Sequence, residues 1–221
     1  MVVPEGKTFL VYPNMFNGPC KPSSITITVA GTIIAPDTTD KWKGIDASLW
    51  IGFNNVNGVT VNGNGNFNGR GLNWWNQSCA LSHYKPALKF LGCQDIRIDN
   101  VKFQDSPQTH ILLMGCQRVN ITNVYINSPG FSPNTDGIHI HESQHIYIDK
   151  AVIESDLTGT SATPVAIKLN CSNTVSCDGL TFDTIQISSA SKGQKVTAAC
   201  NHASGKTDGT IDPPLSCLSH A

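Results

Sequence analysis

The sequence predicts an all-β protein, a right-handed parallel β-helix wound from short strands, and three observations carry that expectation. An apolar pattern at offsets 0, +2, +5 and +7 occurs four times in the chain. A shorter alternating strand precedes each occurrence at a nearly fixed distance. The composition, with 19 Gly, 19 Asn and 12 Pro among 221 residues, favours turns. Gly and Asn tolerate the left-handed backbone angles that tight turns impose.

In chain order the four registers are Ile96, Ile98, Val101, Phe103; then Val119, Ile121, Val124, Ile126; then Ile146, Ile148, Ala151, Ile153; and last Leu180, Phe182, Ile185, Ile187. The short strands Leu88-Lys-Phe90, Ile111-Leu-Leu113 and Ile138-His-Ile140 each end six residues ahead of their register. The fourth, Ile167-Lys-Leu169, ends eleven residues ahead of Leu180, and a loop closed by Cys171 and Cys177 accounts for the extra five. Successive registers lie 23, 27 and 34 residues apart, the last becoming 29 once that loop is subtracted. A coil of this length cannot bury its apolar side chains alone, so it must stack on its neighbours. An antiparallel sandwich produces the same alternation but not constant offsets in consecutive segments. Asn100 and Asn123 fit bends repeated from coil to coil. Upstream the register is looser: Ile25-Thr-Ile-Thr-Val29 and Val59-Thr-Val61 alternate like strands, and the stretch 62–71 is turn-rich. Trp74-Trp75 reads as a cap on the core edge, with a sugar-stacking platform as the alternative. The expectation is one domain over residues 1–221, with a disulfide-stapled tail from about 190 to 221.

Lys+Arg is 15 and Asp+Glu 16, a balance that argues against nucleic-acid binding, which needs a basic surface. Apolar content of 39% argues against disorder. No apolar run reaches the roughly 18 residues of a membrane span. Eight cysteines are many for an intracellular chain, and none sits in a CxxC pair, so neither a metal site nor a cofactor is expected. Cys171/Cys177 and Cys200/Cys217 read best as disulfide staples around loops. The opening Met1-Val-Val-Pro-Glu-Gly lacks the basic and apolar regions of a signal peptide, so an oxidising-compartment chain without an export signal reads as a fragment or an unusual product.

The segments Gly31-Thr-Ile-Ile-Ala-Pro36, Gly63-Asn-Gly65, Trp74-Trp75 and above all Ser132-Pro-Asn-Thr-Asp-Gly-Ile-His-Ile140 resemble those of the plant polygalacturonases. So do Val165-Ala-Ile-Lys-Leu-Asn-Cys171 and the Cys200 to Cys217 ending. These are glycoside hydrolases that cut α-1,4-linked galacturonan with inversion. The resemblance implies a secreted, monomeric cell-wall protein that takes pectin as its partner. Of the family's four active-site motifs, Asn-Thr-Asp is matched by Asn134, Thr135 and Asp136. The Gly-x-Gly-Asp-Asp, Gly-His-Gly and Arg-Ile-Lys motifs are not found. After Ile153 the text resumes with one that resembles a part of the family several coils further on. The resemblance therefore implies a chain shortened relative to the family, with its beginning cut and a block of coils removed near 153/154.

An inverting glycosidase needs a protonated carboxyl on the leaving oxygen and a carboxylate base roughly 6.5–9.5 Å away that activates water. The resemblance puts Asp136 on the water-activating side, with Asn134 a substrate-contact candidate. His139 and His141, alternating with Ile138 and Ile140, point outward beside Asp136 and are further substrate-contact candidates, the surface being the default for a histidine on a strand. Asp156 or Glu154 stands close to one coil after Asp136 and is a conceivable second acid, turn acids being the plainer reading. His110 shows no ligand-like grouping, and Lys168 belongs by context to the Leu-Asn-Cys strand rather than to an Arg-Ile-Lys motif. The expected function is a pectin hydrolase by ancestry with weak or no activity. The alternative is a non-catalytic galacturonan-binding relative. A pectate-lyase-type site would need a calcium-binding acidic cluster, which the sequence does not offer.

Overall fold

A computed structural model of the chain describes residues 1–42, 49–75, 86–129, 132, 135–154, 165–172, 174, 176–188 and 195–220. Among them the strands form a 14-stranded and a seven-stranded sheet. Every pairing is parallel, between strands of successive coils. The polypeptide thus winds as a parallel β-helix, with the right hand that strand twist imposes on such crossovers. The seven-stranded sheet stacks Asn14–Asn17, Ile51–Asn54, Leu88–Leu91, Ile111–Met114, Ile138–His141, Val165–Asn170 and Thr197–Asn201 in chain order. In the larger sheet two columns of short strands meet in the continuous strand Gln144–Glu154.

The offset pattern is the stacking rule itself. Ile96 pairs with Val119 and Val119 with Ile146; Ile98, Ile121, Ile148 and Phe182 form the next column. All sixteen residues of the four registers are at most 3% exposed. Ile138 pairs with Ile167, a separation of 167 − 138 = 29, whereas Ile148 pairs with Phe182, 182 − 148 = 34. The five additional residues lie in the connection closed by the Cys171–Cys177 disulfide, where the sequence placed them. Cys200–Cys217 forms as well, while Cys20, Cys93 and Cys116 carry free thiols. Thr197–Asn201 and Ala203–Asp212 pair with preceding strands and continue the stack. Aromatic rings stack along the axis too, Phe16 on Phe53 at 5.3 Å and Phe53 on Phe90 at 5.1 Å. On the first coil Phe9, Leu10, Tyr12 and Phe16 are exposed.

The bends are stacked as strictly as the strands. Asn100, Asn123, Lys150 and Thr184, each two residues past a paired column position, have φ of 53°, 54°, 51° and 50°. Asn suits this left-handed conformation, but a β-branched Thr does not. Thr184→Asn is therefore expected to stabilise the fold by about 1 kcal/mol, read as a shift in denaturation midpoint; an unchanged or lower midpoint would contradict it.

Within the turn-rich stretch 62–71, Val59–Gly63 and Asn66–Asn68 are strands joined by a two-residue bend. The upstream register departs from the downstream offsets by one residue. Ile25 and Ile27 pair with Val59 and Val61, and Ile33 with Phe67 and Phe67 with Phe103, but the step from the second to the fourth column is six residues there (27 to 33, 61 to 67) rather than five (98 to 103). Gly63, at φ +130°, and Gly65 absorb the extra residue; a Cβ on Gly65 would come within 2.2 Å of the Gly31 carbonyl oxygen. Trp74 packs against the core and meets Trp42 edge-on at 5.5 Å, whereas the Trp75 indole donates to the Ser106 carbonyl and lines a surface cleft.

Candidate functional site

Of the site residues singled out in the sequence, Asp136, His139 and His141 lie where the chain, coming from Tyr125–Asn127 in the larger sheet, enters Ile138–His141 in the smaller one. Short hydroxyl side chains fix this return. Ser132 donates to the Pro129 carbonyl at 2.7 Å and lies 2.8 Å from the Thr135 hydroxyl, and both side chains are buried. Such local bonds satisfy a buried turn that has no ladder to join. Asp136 follows, half-buried, two residues before the strand. Asn134 lies outside the described residues.

The main chain of Asp136 is held by the coil beneath. Its carbonyl accepts from the His110 backbone N–H at 2.9 Å and lies 3.1 Å from the His110 ring nitrogen Nδ1. A carbonyl only accepts, so Nδ1 carries the proton. The other nitrogen, Nε2, then accepts from the Ser128 hydroxyl at 3.0 Å. His110 is fully buried, and burial pushes its pKa down to about 4 against the main chains of Asp136 and Asn127, which accept from the charged ring and favour it. The ring is neutral at pH 7.

His139 and His141 occupy outward positions of their strand, alternating with the inward Ile138 and Ile140. His139 is nevertheless only 6% exposed and Leu112, its register partner, 3%, so this histidine is covered rather than superficial. His141 is half-buried, with Nδ1 3.9 Å from the Glu142 carboxylate. The register sets Lys89, Leu112, His139 and Lys168 in consecutive places of one column. Neighbouring strands lie ~4.8 Å apart, so one column spans several sugar-sized steps.

Of the two conceivable second acids, Glu154 is the described one. Glu154 accepts from the Tyr125 hydroxyl at 2.5 Å and from the Asn127 amide at 3.3 Å, on the larger sheet. This contact raises the Tyr125 pKa. Asp156 lies outside the described residues. Among the described residues no group of three or more His, Cys, Asp or Glu side chains could hold a metal ion. Beside the return segment, Asp37, Asn68, Arg70, Trp75, Asp105 and Pro129 line a cleft of about 430 Å³, in which Arg70 pairs with Asp37 at 2.7 Å. Partial burial raises the Asp105 pKa.

Sequence reasoning missed His110 as a member of the site. Its signal was available, because Ile111 pairs with Ile138, which sets His110 one coil below the Asp136-Gly137 step.

A solenoid whose strand ends carry a buried polar network under one aspartate is the class that fold and site define. The comparisons narrow it. The description "Glycosyl hydrolases family 28" matches residues 1–156. A probable polygalacturonase of Arabidopsis thaliana is 38% identical over 181 residues, covering 79% of this chain and 40% of the relative. Polygalacturonase-2 of Solanum lycopersicum is 36% identical over 158 residues, covering 69% and 34%. An exopolygalacturonase from Thermotoga maritima shares the fold with a TM-score of 0.68 at 16% identity, over 94% of this chain and 56% of that one. The chain belongs to glycosyl hydrolase family 28. It spans two fifths or less of the length of these two plant relatives.

Proposed function

We propose that this chain is a polygalacturonase-like protein that binds α-1,4-galacturonan and, by inverting hydrolysis, cuts it weakly or not at all. The observation that supports the binding half is the half-buried Asp136 two residues ahead of the strand Ile138–His141, whose His139 and His141 follow it at alternate positions. Asp136 takes the water-activating place, with Asn134, His139 and His141 around the sugar. Inversion demands a second, protonated carboxyl across the bond, and Glu154 is engaged by Tyr125 and Asn127 instead.

A block of coils is absent at 153/154. Two findings support this: the family match ends at residue 156, and strands on both sides of the boundary stack in register. Nearest-neighbour stacking lets whole coils be excised at little cost when the surfaces meet in phase. The protein acts as a monomer, secreted to the cell wall, where its paired cysteines are stable.

The test is a polygalacturonate pull-down run beside a reducing-sugar assay. Binding with little or no release of reducing ends is the expected result. Failure to bind overturns the proposal, and so does robust turnover that disappears in Asp156→Asn.

A further inference from the structure

We propose that His110 is a positioning residue for Asp136, clamping the aspartate's main chain from the coil beneath through a tautomer that Ser128 selects. The inference rests on the reading of Asp136 as a site residue.

The Asp136 carbonyl receives two donors, the His110 backbone N–H and its ring Nδ1–H, at 2.9 and 3.1 Å. Two donors fill both lone pairs of that oxygen. The next ladder bond, Ile111 N–H to the Gly137 carbonyl at 3.1 Å, extends the sheet to the same point. The ladder bonds fix the Asp136 carbonyl along the sheet direction only. The ring adds a second direction, and so sets the orientation of the Asp136 peptide from which its side chain departs.

Ser128 does for the ring what the ring does for Asp136. Its hydroxyl, 0% exposed, can donate to Nε2 only if that nitrogen is bare, which leaves the proton on Nδ1. Free imidazole prefers its proton on the other nitrogen, so the hydroxyl and the carbonyl together impose the rarer tautomer. Ser128 is anchored in turn, its N–H donating to the Glu154 carbonyl at 2.9 Å. Three successive coils thus meet in one line that ends at Asp136. The strand following His110 and the one following Asp136 share a sheet, so a disturbance at the ring reaches Asp136 without altering the apolar core.

The test has two independent arms. Nitrogen-15 NMR of the full chain at pH 7 should find His110 neutral with its proton on Nδ1, and Ser128→Ala should shift the Asp136 carboxyl carbon-13 signal. A proton on Nε2, or an Asp136 signal indifferent to Ser128→Ala, overturns the clamp. The second arm measures affinity for galacturonic acid oligomers by calorimetry. His110→Leu, which keeps bulk without a donor, should weaken binding about three- to tenfold. His110→Asn, whose amide can donate from the Nδ1 position, should recover most of that loss. Equal losses in both variants would mark a merely structural residue and overturn the proposal. Should the unaltered chain bind no oligomer, the binding function falls while the NMR arm still decides the clamp.

Discussion

Replacing Phe90 with Ala is expected to lower the unfolding free energy by about 3–5 kcal/mol, the cost of deleting a fully buried aromatic side chain. Phe90 is 0% exposed and its ring stacks on Phe53, which stacks on Phe16, while Leu113 occupies the next place in the column. The backbones on either side are pinned by parallel ladders, so the walls of the cavity cannot collapse to fill it. In a solenoid each coil is stabilised mainly by its neighbours, and a cavity in a central coil weakens two interfaces at once. Equilibrium denaturation in urea measures the effect, with Phe90→Leu as a milder control. A loss below about 1 kcal/mol would show that the column is not a close-packed core.

Acid is expected to destabilise the fold well above the pH at which carboxylates protonate. His110 has a folded pKa of about 4 against an ordinary value of 6.5. The group is depressed on folding, so its contribution is fully present above pH 6.5 and is lost as pH falls toward 4. The difference of 6.5 − 4 amounts to about 3 kcal/mol at full loss. Asp95 and Asp99 are held low by Arg118 and by Thr122 with Asn123 respectively, and their loss comes later, below the usual carboxylate range. Asp105, raised by burial, works in the opposite sense. Denaturation curves between pH 7.5 and 4.5 should fall steadily for the unaltered chain and less steeply for His110→Asn. Parallel pH profiles for the two proteins would show that the histidine is not the acid-sensitive group.

The four registers, the loop closed by Cys171 and Cys177 and the left-handed bends at Asn100 and Asn123 were legible because each is a local property of spacing or residue type. The upstream coils were harder to read for a local reason as well, one more residue in the bend at Gly63 to Gly65, which breaks the offset count without breaking the stack. His139 could be assigned to an outward position from alternation alone, but alternation says nothing of what covers that face. His110 looked isolated because its partners, Ser128 and Asp136, lie 18 and 26 residues away.

The amino-acid sequence by itself determined that this chain winds into stacked coils, since burying Ile, Val, Leu and Phe at a repeated spacing leaves no other compact arrangement. Only the tertiary structure decided that a neutral histidine stands under Asp136 and that Glu154 turns to Tyr125. Those contacts join residues one or more coils apart, and the variable lengths of the turns, not the pattern within any strand, set which side chains meet.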